Sequence, residues 1–292
     1  MKKLLLIFFI AFILMFSGCE EDPLTGKTTL ALISNRELFQ IAGDSYGDFK
    51  DKNDNNIVSP YNPKYASNSK MMEHYHMIQR VGKRIQEAAI KLVTEQGNPK
   101  YFDDYIWEYT LLEENEVNAW AMPAGLITFY TGILPILSNE AGAAVVMGHE
   151  VAHALHNHGQ QRMSLSLLVE LGAIGLSLAT MGTSPEAQQV ILSVYGVGTL
   201  FGKQLPFSRN NEHQADETGL LLMAIAGYDP YEGARLWERM QKAGAGGTPE
   251  FMSTHPSPPN RIRNLTSYAP TAASEANRIG KVSGPVGNWT FN

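Results

Sequence analysis

The chain predicts an α+β fold, mainly α, with a small antiparallel sheet beside a helix built to hold a metal. Three observations carry that expectation. Several long segments place apolar residues at helical spacing, and a block between Tyr105 and Gly125 alternates with period two. Between them and the C-terminus lies His149-Glu150-Val151-Ala152-His153, in which two histidines four apart share one face of a helix.

The chain has 292 residues, 44% of them hydrophobic and 18% charged, enough for one large globular domain with tails. Its net charge is −6, with no basic block longer than Lys2-Lys3, which argues against a nucleic-acid partner. Those lysines precede an apolar run, Leu4 to Phe16, that is short for a membrane span and ends in Ser17-Gly18-Cys19. This pattern resembles a bacterial lipoprotein signal covering residues 1–18, cleaved before a lipidated Cys19, although Phe16 stands where Leu is usual. An uncleaved anchor is the alternative. Cys19 is the only cysteine, so internal disulfides are excluded and lipidation accounts for it. Glu20 follows where lipoproteins of the inner membrane often carry Asp, which favours the outer membrane, facing the periplasm.

Residues 19–70, rich in Asn, Asp, Ser, Gly and Pro, read as a tether leading into a packed arm, with periodicity only near Leu30 to Ile41. A compact domain is expected over 71–268. Its first helix runs from Met71 to Glu95 on Ile78, Val81, Ile85, Ala89 and Leu92, and Gly97-Asn98-Pro99 stops it. Tyr105 to Leu112 is a strand, Glu113 to Glu116 a turn, and Val117 to Gly125 a second strand whose Pro123 argues for a sheet edge or bulge. Leu126 to Ile133 closes the sheet. Ser138 then caps the helix that carries the motif histidines through to Leu155.

The apolar runs Leu165 to Met181 and Val190 to Phe201 read as buried or groove-lining helices rather than a membrane hairpin, since neither reaches about 20 residues. Ser208 to Ala226 forms a helix ended by Gly227, Asp229-Pro230 opens another, and Gly244 to Glu250 is a break. Ser257-Pro258-Pro259 opens a last short helix to Tyr268. Residues 269–292 form a loosely ordered tail.

His149 and His153 can both reach one Zn²⁺, and Glu150 between them points about 100° around the helix, where it can hold a water. A catalytic zinc needs a third protein ligand from elsewhere. His156 and His158 do not fit H-E-x-x-H-x-x-G-x-x-H, which excludes that arrangement. Glu212 and Asp216 share a helix face, so Glu212 has the reach of an oxygen ligand and Asp216 that of a hydrogen-bond partner to a ligand histidine; an exposed acidic face is equally compatible with the spacing.

Gly148-His149-Glu150-Val151-Ala152-His153 together with Glu212-His213-Gln214-Ala215-Asp216 resembles the gluzincin zinc metalloprotease family of HtpX, CAAX prenyl proteases and the mitochondrial OMA-type protease. The resemblance implies a zincin-like helical protease domain, with His149, His153 and Glu212 as ligands of one zinc and Glu150 as catalytic base. Asn118-Ala119-Trp120-Ala121-Met122-Pro123-Ala124-Gly125 is similar to the family's strand before the metal helix, here a candidate edge for binding substrate. Asp22-Pro23-Leu24-Thr25-Gly26-Lys27 resembles the mature N-terminus of the family's soluble, lipoprotein-type bacterial branch. Ser253-Thr254-His255-Pro256-Ser257 with Asn260-Arg261-Ile262 resembles its C-terminal element.

The implied function is hydrolysis of peptide bonds in misfolded or misassembled envelope proteins. Arg209 and His255 are the candidate donors to the reaction's oxyanion, and His255 is alternatively a fourth ligand that keeps the enzyme latent. Of the remaining histidines, His156 is the expected neighbour of the metal site because it repeats the ligand face. The competing expectation is a chaperone or assembly factor with a mainly structural zinc.

Overall fold

The computed structural model describes residues 19–165, 208–244, 248–255 and 260–291. The expected signal segment, most of the two apolar runs and the opening of the last expected helix at 257–259 lie outside the described residues. No described helix is long and apolar enough to cross a membrane.

The chain begins with an antiparallel hairpin, β1 (Cys19–Glu21) and β2 (Thr28–Leu30), closed around Asp22 to Lys27. Helix α1 (Asn35–Asn53) follows. Ser34 and Glu37 form its capping box, each side chain receiving the other's backbone N–H. Within the segment expected to hold a tether and a packed arm, this helix buries Leu38, Ala42 and Tyr46. Helix α2 (Ser69–Glu95) buries Met77, Ile78, Val81 and Ile85 on the stripe its periodicity announced.

Strands β3 (Glu108–Leu112), β4 (Ala119–Met122) and β5 (Leu126–Tyr130) form a sheet in the order β3-β5-β4. This sheet is mixed rather than antiparallel: β5 runs antiparallel to β4 but parallel to β3. Strand β4 is an edge and is shorter than expected, because Pro123 opens a tight turn in which Ala124 adopts φ 67°. The Ala124 carbonyl accepts the backbone N–H groups of Ile106 and Trp107, which holds that turn.

A short helix α3 (Leu134–Leu137) leads into α4 (Glu140–Leu155), buried on almost every side. Its cap is Asn139, whose side chain accepts the Gly142 N–H; Ser138 has φ 66° and forms the preceding turn instead. Helix α5 (Arg209–Ile225) packs across α4 and ends at Gly227, φ 96°, as the sequence suggests. Their closest approach is at Gly148 and Gly219, where each lacks a side chain that the other's backbone would strike. Next come α6 (Glu232–Ala243), α7 (Glu250–Thr254) and α8 (Arg261–Ile279). Asp229 and Pro230 form a turn before α6 rather than its first residues: Asp229 Oδ1 accepts the Tyr231 N–H at 3.0 Å.

The C-terminal segment is not loose. Helix α8 continues through Pro270 because Ala269, Ala272 and Ala276 form one buried stripe. Beyond it, Arg84 binds the carbonyls of Ser283 and Pro285 at 3.2 and 3.3 Å. Trp289 is 4% exposed and donates its indole N–H to His74 at 3.1 Å. The tail thereby joins α2 to the start of α4, whose Glu140 N–H binds the Trp289 carbonyl.

Candidate metal centre

Helix α4 presents His149 and His153 one turn apart, with their Nε2 atoms 3.0 Å from each other. The close crossing at Gly148 brings the first turn of α5 onto this face. Glu212 Oε2 lies 3.4 Å from His149 Nε2, and Oε1 lies 3.4 Å from His153 Nε2. His255, at the C-terminal end of α7, completes the group: its Nδ1 is 3.2 Å from His149 Nε2 and 3.1 Å from Glu212 Oε1. All four side chains are buried, and their donor atoms lie within 4.8 Å of one another.

This donor set fits a small divalent cation. Four ligands placed tetrahedrally at zinc distances would stand about 3.3 Å apart, close to the 3.0–3.4 Å contacts given above. Among the described residues Glu212 Oε2 is buried without a hydrogen bond, although Arg261 forms an ion pair with it at 3.0 Å. Three ring nitrogens and a carboxylate converge there, a set of lone pairs that a single cation would satisfy together. Without a metal, burial opposes a charge on His149, but Asp216 and Glu212 overrule it and hold the imidazole up at about 9. Burial keeps His153 neutral, well below the ordinary histidine range. Burial would raise the Glu212 carboxyl, yet its bonds to His149, His153 and His255 hold it far below the usual range.

Both histidines of α4 are also held from behind. His149 Nδ1 is 3.0 Å from Asp216 Oδ1, which in turn receives Arg261 Nη2 at 2.7 Å. The Arg261 guanidinium stacks over the Trp237 ring at 3.5 Å, within a site that excludes water. His153 Nδ1 is 2.9 Å from His158 Nδ1. The expected neighbour, His156, points elsewhere: its Nδ1 is 2.6 Å from Asp22 and its Nε2 2.8 Å from Thr218. It sits at the end of α4, where the backbone leaves the helix and turns its ring toward the N-terminal hairpin.

Glu150 is buried beside the cluster. Among the described residues its Oε1 has no hydrogen-bond partner, and it lies 3.3 Å from His255 Nε2. Burial, the largest influence, raises the carboxyl above the ordinary glutamate range, while the charges of His255 and His149 pull the other way. Glu150, His153 and His255 line a cavity of about 520 Å³ between α1, the β4 edge and the end of α4. Its other walls include Leu38, Phe39, Trp120 and Met122.

The structure therefore brings His149, Glu150, His153, Glu212, Asp216 and His255 together, with Asn118, Trp120, Ala121, Met122 and Pro123 along the cavity. Ala119, Ala124 and Gly125 are buried behind it. Arg209 is exposed on the first turn of α5 and takes no part in the contacts around the cluster. Cys19 is exposed, at the start of β1. Arg261, His158 and Gln214 escaped the sequence reading, although Arg261 and Gln214 lie inside stretches singled out by resemblance.

An H-E-x-x-H helix crossed by a second helix that supplies a glutamate is the arrangement of a gluzincin-type metallopeptidase. The sequence profile of peptidase family M48 matches residues 79–269, and the chain belongs to that family. It is 32% identical over 246 residues to the mitochondrial metalloendopeptidase OMA1 of Schizosaccharomyces pombe, covering 82% of this chain and 66% of that protein. To metalloendopeptidase OMA1 of Danio rerio it is 31% identical over 277 residues, covering 91% and 53%. The β-barrel assembly-enhancing protease of Escherichia coli is 29% identical over 171 residues, covering 56% and 34%. The chain thus spans about half to two thirds of the length of the two OMA1 relatives.

Proposed function

We propose that this chain is a zinc-dependent endopeptidase. The observation that carries the reading is the Glu150 carboxylate, buried without a hydrogen bond at Oε1, beside a four-donor cluster and facing a cavity under an open strand edge. His149, His153 and Glu212 would hold the metal, because two imidazoles and a carboxylate suit Zn²⁺ better than harder cations. Bound there, zinc supplies the Lewis acid that polarises the scissile carbonyl and makes water acidic near neutral pH. Glu150 accepts the proton of the attacking water and delivers it to the leaving amine; its raised pKa suits a group that must both take and give. Asp216 orients the His149 ring and leaves its Nε2 free for the cluster. An extended peptide adds to the β4 edge by main-chain hydrogen bonds, so its sequence is weakly restricted.

His255 acts as a removable fourth donor. With Nδ1 at the cluster and Nε2 toward Glu150, its ring fills the space a substrate carbonyl needs, and the protein rests in a latent form. The substrates we infer are misfolded or misassembled envelope proteins, met by a chain lipidated at Cys19 and held at the outer membrane, facing the periplasm. The lipoprotein-like signal and the relative named for β-barrel assembly support that location.

One observation favours a second reading. Four protein donors are the mark of a closed, structural zinc, as an envelope chaperone or assembly factor would have. Glu150→Gln separates the two. Casein cleavage by the wild-type protein, lost in the variant, supports the peptidase; equal suppression of substrate aggregation by both proteins, without cleavage, supports the chaperone.

A further inference from the structure

The hairpin residues Asp22 to Lys27 have no role in the chemistry above, yet they place a carboxylate in the interior. Asp22 is 3% exposed. Its Oδ1 accepts the N–H groups of Leu24 and Thr25 at 2.9 and 3.0 Å, while its backbone pairs with Gly26 and Lys27. The turn so uses up one carboxylate oxygen and aims the other inward. Asn98 docks the turn against the end of α2 through the Pro23 carbonyl.

The inward oxygen, Oδ2, is 2.6 Å from His156 Nδ1 and 3.4 Å from Gln214 Nε2. Gln214 Oε1 is 3.2 Å from His158 Nε2, and His158 Nδ1 is 2.9 Å from His153 Nδ1. A carboxylate only accepts, so the proton of the short contact sits on His156 Nδ1. The neighbouring Gln214 amide, 3.0 Å from that nitrogen, finds no lone pair there and turns its N–H to Asp22. Its oxygen is then left to accept from His158 Nε2–H. His158 Nδ1 is consequently unprotonated and accepts from His153 Nδ1–H. Every donor in the chain points toward Asp22, and the His153 Nε2 lone pair faces the cluster.

We propose that Asp22 is a positioning residue for His153: through Gln214 and His158 it sets the direction of the hydrogen bonds that fix the tautomer of this histidine. His149 receives the same service directly from Asp216, so the two histidines are oriented by carboxylates from two separate elements, the N-terminal hairpin and α5. The proposal rests on His153 being a zinc ligand. Replacing Asp22 by Asn removes the one group that cannot donate, and the chain can then run in either direction.

The test is zinc affinity, measured by competition with a chromogenic chelator on the full chain. Wild type, Asp22→Asn, Gln214→Ala and the double variant are compared, with ¹⁵N shifts reporting the His153 tautomer. Loss of such outer partners weakens metal binding about ten- to a hundredfold, expected here for each single variant, with the double variant no worse than either. In the zinc-free protein, where no metal fixes the tautomer, the His153 Nδ1–H signature should blur in the variants. Gln214→Ala leaves the hairpin intact and keeps the test open if Asp22→Asn folds poorly. Wild-type affinity and an unchanged tautomer in Gln214→Ala would overturn the proposal, as would effects that simply add. A wild-type protein that binds no zinc would overturn the metal reading itself, a result distinct from the other two.

Discussion

A Cβ on Gly148 would lie 2.7 Å from the Gly219 carbonyl oxygen, and one on Gly219 would lie 2.9 Å from the His149 backbone nitrogen. The α4 and α5 helices therefore touch backbone to backbone next to His149. Gly219→Ala must push them apart, and we expect a loss of about 1–3 kcal/mol with weaker zinc binding. Gly47→Ala is the control. Nothing lies within 4 Å of its added methyl in the middle of α1, so it should stabilise by about 0.5–1 kcal/mol. Urea midpoints and chelator competition on both variants check the pair.

Arg261 is 1% exposed and faces Glu212 at 3.0 Å and Asp216 at 2.7 Å. Arg261→Met keeps the apolar contact with Trp237 but leaves two buried carboxylates without their cation, which costs about 3–5 kcal/mol. Zinc should recover part of that loss by neutralising Glu212. Arg261→Lys should rescue poorly, because an ammonium cannot bridge both carboxylates while stacking over the Trp237 ring as the planar guanidinium does. Thermal unfolding with and without zinc measures each effect.

Asp22 provides a pH signature. Burial would raise its carboxyl, but the hydrogen bond and charge of His156, with two backbone amides, lower it to about 2. The folded value is depressed below the ordinary 3.8, so the stabilisation is complete above pH 4 and is lost as the pH falls through about 2. The difference in unfolding free energy between wild type and Asp22→Asn should therefore shrink by about 2 kcal/mol from pH 5 to pH 2. Urea unfolding at those two values reads it, and a constant difference would refute the assignment.

Trp289 is expected to matter although it stands near the end of the chain. Trp289→Ala removes a buried indole and its bond to His74, at a cost of about 3–5 kcal/mol, while leaving zinc affinity close to wild type. Melting temperature together with zinc competition separates the two effects.

The readable parts of the sequence were those with a local period or a fixed spacing. The stripe of α2, the histidine pair of α4 and the glycine stop of α5 are each set by neighbours in the chain. Glu212 could be placed on a helix face by spacing, but its partnership with His149 depends on the Gly148–Gly219 crossing and needed the resemblance. The parallel pairing of β3 with β5 is decided by the path of the chain between them, which period-two alternation does not encode. Helix α1 was missed because Gly43, Asp44 and Gly47 interrupt its apolar face, though its Ser34–Glu37 capping box was there to read. The link from Asp22 to His153 spans 131 positions through isolated polar residues, and isolated residues carry no pattern.

The central claim is that the cluster on α4 and α5 is a catalytic zinc centre. Zinc per chain, determined by atomic absorption on wild type, Glu212→Gln and Glu150→Gln purified alike, tests it most directly. We expect one zinc in the wild type, loss of zinc in Glu212→Gln, and one zinc in a Glu150→Gln protein that no longer cleaves casein. A wild type without zinc, or a Glu212→Gln variant that holds it as tightly, would contradict the account.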